Sequence, residues 1–267
     1  MWGRLLGLLR KYFEDNPRVD VTLDQSHCTP ETNLRRVALM HEQGALAGKH
    51  VLVLGDDDSV SAAVALLGKI VGKDGRLARR VVAVDTDERI LLHLRDIAVQ
   101  EGVIIALVKH DVRQPLPEDL RGEFDTVTTD PPYTLPGLVL FLSRAVDALY
   151  PEGGRIYLHF GHRPPEEQVE VQGAIASMGL VIEQMVPNFN EYVGAGVLAA
   201  QEREELPGLG HALAGGRAGS EDVDALARAL LPARKQMLAA ERRLVPRVVP
   251  PAVAVAPRPW LALAADQ

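Results

Sequence analysis

Residues 50–59, which read HVLVLGDDDS, decide the fold class of this chain. The run HVLVL does not alternate between apolar and polar residues, which predicts a parallel strand covered on both faces. A tight turn follows, and a helix is predicted from Ser59. Similar strand-type and helix-type runs alternate over residues 48–187, and this alternation predicts a parallel sheet with right-handed crossovers. The predicted strands are His50–Leu54, Arg80–Val84, Ile104–Val108, Phe124–Thr129, Arg155–Phe160 and Leu180–Val186, and the predicted helices are Ser59–Val71, Glu88–Glu101, Pro136–Tyr150 and Glu166–Met178.

The composition divides the chain into three parts. Residues 1–47 form a short leader, in which Met1–Arg10 predicts an amphipathic helix rather than a signal peptide. Residues 48–200 contain the α/β pattern and are expected to form the catalytic domain. Residues 201–267 form a tail rich in Ala and Pro. The tail is predicted to be partly helical, over Ser220–Leu230 and Pro232–Leu244.

The overall charge limits the classes of partner. Lys and Arg number 29 against 36 Asp and Glu, so the net charge is −7. A net acid is a poor match for nucleic acid and a better one for a cationic small molecule. The single cysteine, Cys28, excludes an intramolecular disulfide and a Cys-rich zinc site, and it favours a reducing cytoplasm. No run of 18 apolar residues occurs, so no membrane span is predicted.

Carboxylates follow the first four predicted strands. The first strand is followed by the acidic loop, residues 55–58, and the next three by Asp85, Asp111 and Asp130. The carboxyl ends of parallel strands meet at one edge of a sheet, where ligands of such folds bind. Like charges gathered there favour a cationic ligand.

Two of these positions suggest a nucleoside. A carboxylate after the second strand accepts hydrogen bonds from ribose hydroxyls, which is the role predicted for Asp85. Asp111 is predicted to accept from an adenine amino group. The acidic loop has one glycine and three carboxylates, so it disfavours a dinucleotide and favours an amine. The predicted residues for the nucleoside-bearing co-substrate are Gly55, Asp56, Asp57, Asp58, Asp85 and Asp111.

The turn DPPY, residues 130–133, is the most specific local signal. Its two prolines fix the backbone and remove two N–H donors. Such a turn surrounds one nitrogen with a carboxylate, a carbonyl and an aromatic face, as enzymes that alkylate an amino group require. A purely structural turn is the alternative interpretation. The histidines His110, His159 and His162 show no spacing that enforces a metal site, so no metal is predicted.

Several segments together resemble the branched-chain polyamine synthase family, the N4-bis(aminopropyl)spermidine synthases. The resemblance covers roughly residues 20–195. The segments that carry it are Asp24-Gln25, Thr29–Thr32, Arg36, Gly48-Lys49, Gly55–Asp58, Asp85, Asp130–Pro132 and Asn188–Tyr192.

The resemblance implies a Rossmann-like fold of the class I methyltransferase type, with helices on both faces of the sheet. It implies that residues 1–47 correspond to the end of the family's N-terminal domain. It also implies a homodimer, and aminopropyl transfer from decarboxylated S-adenosylmethionine to a polyamine such as spermidine, with no permanently bound cofactor. Asp130 would hold the attacking amine and take its proton, and Tyr133 would offer a cation–π face. The predicted substrate-binding residues are Asp130, Pro131, Tyr133, His162, Asn190 and Glu191.

Two other functions remain open from the sequence. The DPPY turn also fits a methyltransferase that uses S-adenosylmethionine to modify an amino group. The Ala/Pro-rich tail leaves room for a non-catalytic protein that keeps the nucleoside pocket. Binding measurements with both forms of the co-substrate separate the first alternative from aminopropyl transfer, and product analysis separates the second.

Overall fold

Five parallel strands form the sheet at the centre of the chain, in the order β3-β2-β1-β4-β5. The structure is a computed structural model, and it describes residues 1–23, 25–72, 74–161 and 163–193. The predicted parallel sheet is confirmed, and its first five strands are correct to within two residues at each end. The strands are β1 His50–Leu54, β2 Arg80–Asp85, β3 Ala106–Lys109, β4 Thr126–Thr129 and β5 Arg155–Leu158.

Helices cover both faces of this sheet, as predicted. Alternate residues of β1 point to opposite sides. Val51 and Val53 belong to one core cluster, which the first four helices help to form. Leu52 and Leu54 belong to a second cluster with residues of the fifth helix. The helices are α1 Trp2–Phe13, α2 Pro30–Glu42, α3 Val60–Val71, α4 Glu88–Glu101, α5 Leu135–Ala148 and α6 Pro165–Ser177.

The leader adds two helices to one of these layers. Helix α1 buries Leu5, Leu9 and Tyr12, which confirms the predicted amphipathic helix. Thr29 caps α2 by accepting a hydrogen bond from the backbone N–H of Thr32. The same helix carries Arg36 on its buried face. The division between a leader and a catalytic domain stays a prediction.

The prediction of a sixth strand at Leu180–Val186 was wrong. The segment forms no ladder with the described strands, and β5 pairs only with β4. Its side chains are largely exposed, with Val181 at 86% and Met185 at 65%. An apolar run signals hydrophobicity, but a strand also needs a neighbour that offers free backbone hydrogen-bonding groups.

Two further predictions fall outside the described residues. These are the helices of the tail and the position of His162. Within the described residues, no helix combines the length and the hydropathy that crossing a bilayer requires.

Candidate active site

The acidic loop between β1 and α3 forms the floor of the candidate site. Gly55 has a φ of +70°, which glycine adopts without strain, and the chain turns sharply there. The carboxylate of Asp56 lies beneath the loop and accepts a hydrogen bond from the N–H of Val60 at 2.6 Å and another from Ser61. Both backbone N–H groups lie in the first turn of α3, where they have no acceptor within the helix. Burial raises the pKa of Asp56 to about 7. The structure therefore places Asp56 as a group that holds the loop on the helix.

Asp85 joins the first two loops at the carboxyl edge of the sheet. One of its oxygens accepts from the N–H of Asp56 and the other from the N–H of Asp87, each at 2.8 Å. Asp85 is 7% exposed, and burial raises its pKa. Each carboxylate oxygen keeps a second acceptor position, which suits the predicted contact with ribose hydroxyls. Asp87 caps α4 by accepting a hydrogen bond from the N–H of Arg89.

A buried guanidinium stands at the centre of the site. Arg36 is 2% exposed, and its Nη1 lies 2.5 Å from Oδ2 of Asp58. Its Nη2 lies 2.7 Å from Oδ2 of Asp130. A buried charge of this kind is tolerated only when it is paired and hydrogen-bonded. Arg36 therefore ties the acidic loop to the DPPY turn.

Aromatic hydroxyls extend the network around Asp130. Tyr192 donates a hydrogen bond to Oδ2 of Asp130 at 2.6 Å, and the hydroxyl of Tyr133 is hydrogen-bonded to that of Tyr192. The Tyr133 ring packs directly on Gly161, where an added Cβ would lie 2.8 Å from a ring atom. Burial raises the pKa of both tyrosines, so both hydroxyls keep their protons as donors. Asn190 accepts from Arg36 through its side-chain oxygen, at 3.1 and 3.2 Å.

Two extended segments, residues 26–29 and 191–193, close one side of the site, and we call them together the clasp. The N–H of Thr29 donates to the carbonyl of Glu191 at 2.8 Å, and the N–H of Val193 donates to the carbonyl of His27 at 2.9 Å. The first segment also contacts the acidic loop, because the N–H of Cys28 donates to Oδ1 of Asp58 at 2.5 Å. The clasp brings the end of the described chain onto the acidic loop.

The electrostatics of the site favour a cation. Burial, together with the charges of Asp58 and Asp130, raises the pKa of Asp57 well above its ordinary value. Burial also raises the pKa of Asp130 to about 6, although the charge of Arg36 opposes that rise. Two carboxylates, Asp58 and Asp130, thus pair with one guanidinium, and a third, Asp57, lies beside Asp58. A bound cation would relieve their mutual repulsion.

The structure gathers some of the predicted residues and leaves others aside. Asp111 lies just beyond β3, where its carboxylate accepts two hydrogen bonds from Nε of Arg113 and one from Nη2. Glu191 joins the clasp through its backbone, while its side chain is exposed. Pro131 is buried in the DPPY turn. The residues that the structure brings together around Arg36 are Asp58, Asp130, Tyr133 and Asn190, and Asp57 lies beside Asp58.

Sequence reasoning assigned no role to Arg36, Tyr192 or His27. Arg36 had a detectable signal, because the buried positions of α2 include Asn33, Arg36 and Met40 on one helical face. A charged residue on a buried face requires a charged partner. No local pattern predicted that Tyr192 would contact Asp130, since 62 residues separate the two.

Comparison with protein families finds a match over most of the chain. The model of the branched-chain polyamine synthase A C-terminal domain matches residues 5–207. An uncharacterized protein of Methanocaldococcus jannaschii is 46% identical over 195 residues, which are 73% of this chain and 48% of that protein. The N(4)-bis(aminopropyl)spermidine synthase of Thermococcus kodakarensis is 35% identical over 199 residues, which are 73% of this chain and 54% of that protein. The chain thus spans about half the length of the curated relatives it matches.

Solved structures agree with this result. The branched-chain polyamine synthase of Thermus thermophilus, in complex with N4-aminopropylspermidine and 5'-methylthioadenosine, is 36% identical with a TM-score of 0.65. The match covers 71% of this chain and 54% of that one. A Pyrococcus horikoshii protein, provisionally classed as an RNA methyltransferase, is 18% identical with a TM-score of 0.54 over 68% of this chain and 84% of that one, and it shows the fold alone. The predicted Rossmann-like fold of the methyltransferase type is confirmed.

Proposed function

The chain belongs to the branched-chain polyamine synthase family, and from this premise we propose that it is an aminopropyltransferase. It moves an aminopropyl group from decarboxylated S-adenosylmethionine to an amine of a polyamine such as spermidine and releases 5'-methylthioadenosine. The relative from Thermus thermophilus, which has a polyamine and 5'-methylthioadenosine bound, supports this choice of substrate classes.

One observation carries the proposal within this chain. Asp57, Asp58 and Asp130 meet at the carboxyl edge of the sheet, and within the described residues Arg36 is the only cation that pairs with any of them. The remaining negative charge suits a sulfonium and alkylammonium groups. Ordinary S-adenosylmethionine would bring a further carboxylate to this edge, where repulsion between like charges amounts to a few kcal/mol (about 4 kcal/mol at 4 Å and an effective dielectric constant near 20).

The reaction requires positioning and the removal of one proton. The attacking amine nitrogen forms a bond to the propyl carbon next to the sulfonium sulfur, and the bond from that carbon to sulfur breaks with its electrons going to sulfur. The proton of the attacking amine passes to Asp130, directly or through water. Arg36 and Tyr192 both contact Oδ2 of Asp130. This arrangement leaves Oδ1 to meet the amine.

Other predicted residues support the same reaction. Asp85 binds the ribose, and the acidic loop faces the aminopropyl chain. The aromatic ring of Tyr133 stabilises a cation through its π face, and Glu191 neutralises a remote ammonium group. Binding of an adenine amino group by Asp111 and the homodimer implied by the resemblance stay predictions.

Product analysis tests the proposal. The protein is incubated with decarboxylated S-adenosylmethionine and each of several linear polyamines, and the products are identified by mass spectrometry. We expect a polyamine enlarged by one or more aminopropyl groups and one 5'-methylthioadenosine for each transfer. A methylated product formed from ordinary S-adenosylmethionine would instead support an amino-methyltransferase. The absence of any product, despite nucleoside binding, would support a non-catalytic protein.

A further inference from the structure

We propose that His27 completes, with Asp57 and Asp58, a three-acceptor site for a primary alkylammonium group. The inference rests on the proposed function, which supplies two sources of such a group: the aminopropyl donor and the polyamine acceptor. His27 belongs to the clasp, and the proposed reaction assigns it no role. Its addition changes an acidic patch into a site with a defined number of hydrogen-bond acceptors.

The hydrogen bonds of His27 fix which ring nitrogen is the acceptor. Its Nε2 lies 2.8 Å from the carbonyl oxygen of Pro17. A carbonyl oxygen only accepts, so Nε2 carries the hydrogen and Nδ1 of the neutral ring presents a lone pair. Nδ1 is buried and has no hydrogen-bond partner among the described residues. The whole residue is 9% exposed, so this lone pair is held away from bulk water.

The three acceptors lie close enough together for one ammonium group to contact all of them. One ligand atom of His27 and one carboxylate oxygen each of Asp57 and Asp58 lie within 4.8 Å of one another. An ammonium nitrogen has three N–H donors in tetrahedral directions, so acceptors about 2.9 Å from it lie about 4.7 Å apart. Arg36 already contacts Asp58, and its charge opposes a divalent cation there.

Neighbouring contacts hold the ring in place before any ligand arrives. The ring of Phe13 meets the His27 ring edge-on, with 6.4 Å between their centroids. The carbonyl of His27 accepts from the N–H of Val193. A side chain fixed at both backbone and ring loses little freedom on binding, so its lone pair contributes fully to recognition.

A crossed pair of variants separates recognition from a structural role. In His27→Gln the amide nitrogen can replace Nε2 and keep the hydrogen bond to Pro17, while the acceptor at the Nδ1 position is lost. In His27→Asn the amide oxygen can replace Nδ1, while the bond to Pro17 is lost. His50→Gln is the matched control, since His50 lies at the amino end of β1, at the opposite edge of the sheet.

Calorimetry of the full chain with 5'-methylthioadenosine, decarboxylated S-adenosylmethionine and spermidine gives the readout. We expect His27→Gln to weaken binding of one amine-bearing ligand by about 10- to 100-fold, the loss of one hydrogen bond to a charged group. His27→Asn should keep most of that affinity, and all variants should bind 5'-methylthioadenosine like the parent. A loss confined to decarboxylated S-adenosylmethionine assigns the ammonium to the donor, and a loss confined to spermidine assigns it to the acceptor.

Other results would overturn the inference. These are unchanged binding of both amines by His27→Gln, a loss in His27→Asn alone, or amine binding that a chelator abolishes and zinc restores. If the parent protein binds decarboxylated S-adenosylmethionine no better than 5'-methylthioadenosine and forms no product, the proposed function fails and this inference fails with it. If the parent prefers the amine and His27→Gln keeps that preference, only the role of His27 is refuted.

Discussion

Tyr192 donates its hydroxyl hydrogen to Oδ2 of Asp130 across 2.6 Å, the same oxygen that Nη2 of Arg36 contacts at 2.7 Å. Both donors stabilise the ionised carboxylate, and both oppose the effect of burial on its pKa. Asp130 is therefore a buried carboxylate whose pKa, about 6, lies close to the pH at which it would have to accept a proton. That balance makes the contacts around Asp130 testable through pH profiles.

Loss of the Tyr192 hydroxyl should destabilise the ionised form of Asp130 relative to its protonated form. In Tyr192→Phe we expect kcat/KM for aminopropyl transfer to fall by about 10-fold, the effect of one hydrogen bond to a charged group. Because that hydrogen bond lowers the pKa of Asp130, the rising limb of the pH profile should move to higher pH. Tyr157→Phe is the control, since Tyr157 lies on β5 and donates to Gln43. A profile that keeps its position would show that Tyr192 does not tune Asp130.

Replacement of Asp130 by asparagine should remove the base while keeping the size of the side chain. We expect turnover at neutral pH to fall by about 10²- to 10⁴-fold, the usual range for a positioned base. Binding of 5'-methylthioadenosine should change little, because the proposed function assigns the ribose to Asp85 rather than to Asp130. In the parent protein kcat/KM should rise as pH rises through about 6, since only the ionised carboxylate accepts a proton.

The loss in Asp130→Asn should become smaller as pH approaches about 10, where the free amine is neutral in solution. Steady-state rates of parent and variant from pH 6 to 10 give the comparison. A variant within a few-fold of the parent at neutral pH would leave the DPPY turn as a structural element.

The ion pairs of Arg36 should contribute strongly to stability. Arg36→Met leaves Asp58 and Asp130 buried without their cation, and we expect the free energy of unfolding to fall by about 3–5 kcal/mol. Arg36→Lys keeps the positive charge, but the lysine ammonium lacks the planar fork that contacts both carboxylates. The decrease in the free energy of unfolding should therefore be intermediate. Arg95→Met removes an exposed pair with Asp96 and should change stability by less than about 0.5 kcal/mol. Urea denaturation of the three variants measures the differences, and equal losses in Arg36→Met and Arg95→Met would contradict the expectation.

The raised pKa of Asp56 predicts a pH-dependent effect on stability. Its pKa in the folded state is about 7, against roughly 3.9 in an unfolded chain. The folded state therefore binds the proton more tightly, so the contribution of Asp56 to stability is full below about pH 4 and is lost as pH rises towards 7. Asp56→Asn removes this dependence. Relative to the parent, the variant should gain stability between pH 4 and 7, by at most about 1.4 kcal/mol per pH unit.

Asp87→Asn provides the matched control for Asp56. The pKa of Asp87 is lowered to about 2, chiefly by its hydrogen bonds with Arg89. Its carboxylate is ionised in both states above about pH 5, so the difference in stability between Asp87→Asn and the parent should stay flat from pH 5 to 7. Thermal or urea unfolding across this range measures both variants. A flat difference for Asp56→Asn as well would show that Asp56 remains ionised in the folded protein.

The sheet was predictable because its signals are local, whereas the centre of the site depends on contacts between distant residues. The runs at β1 and β2 carry their own hydrophobicity, and the acidic loop follows directly from β1. The ion pair of Asp111 with Arg113, two residues further along, is a local contact that the sequence analysis did not predict. The segment at Leu180–Val186 shows the opposite failure, since its hydrophobicity predicted a strand that lacks a neighbour.

The network around Asp130 was out of reach for a further physical reason. Arg36 and Asp130 are 94 residues apart, and their pairing depends on how α2 packs beside the sheet. The resemblance to a family marked Arg36 and the segment that contains Tyr192, but it assigned no role to either side chain. The family could therefore be recognised from the sequence, whereas the contacts that Arg36 and Tyr192 make with Asp130 could not be predicted from it.

The clasp also sets the order in which the parts of this protein can form during translation. The five strands of the described residues have left the ribosome once Leu158 has emerged, so the sheet can fold early. The first segment of the clasp must wait for its partner, which is synthesised about 160 residues later, as the hydrogen bond between Thr29 and Glu191 shows. Closure over such a separation carries an entropic penalty and is slow. A nascent chain therefore carries a folded sheet with an open acidic edge, and the centre around Asp130 closes only after Tyr192 has been added.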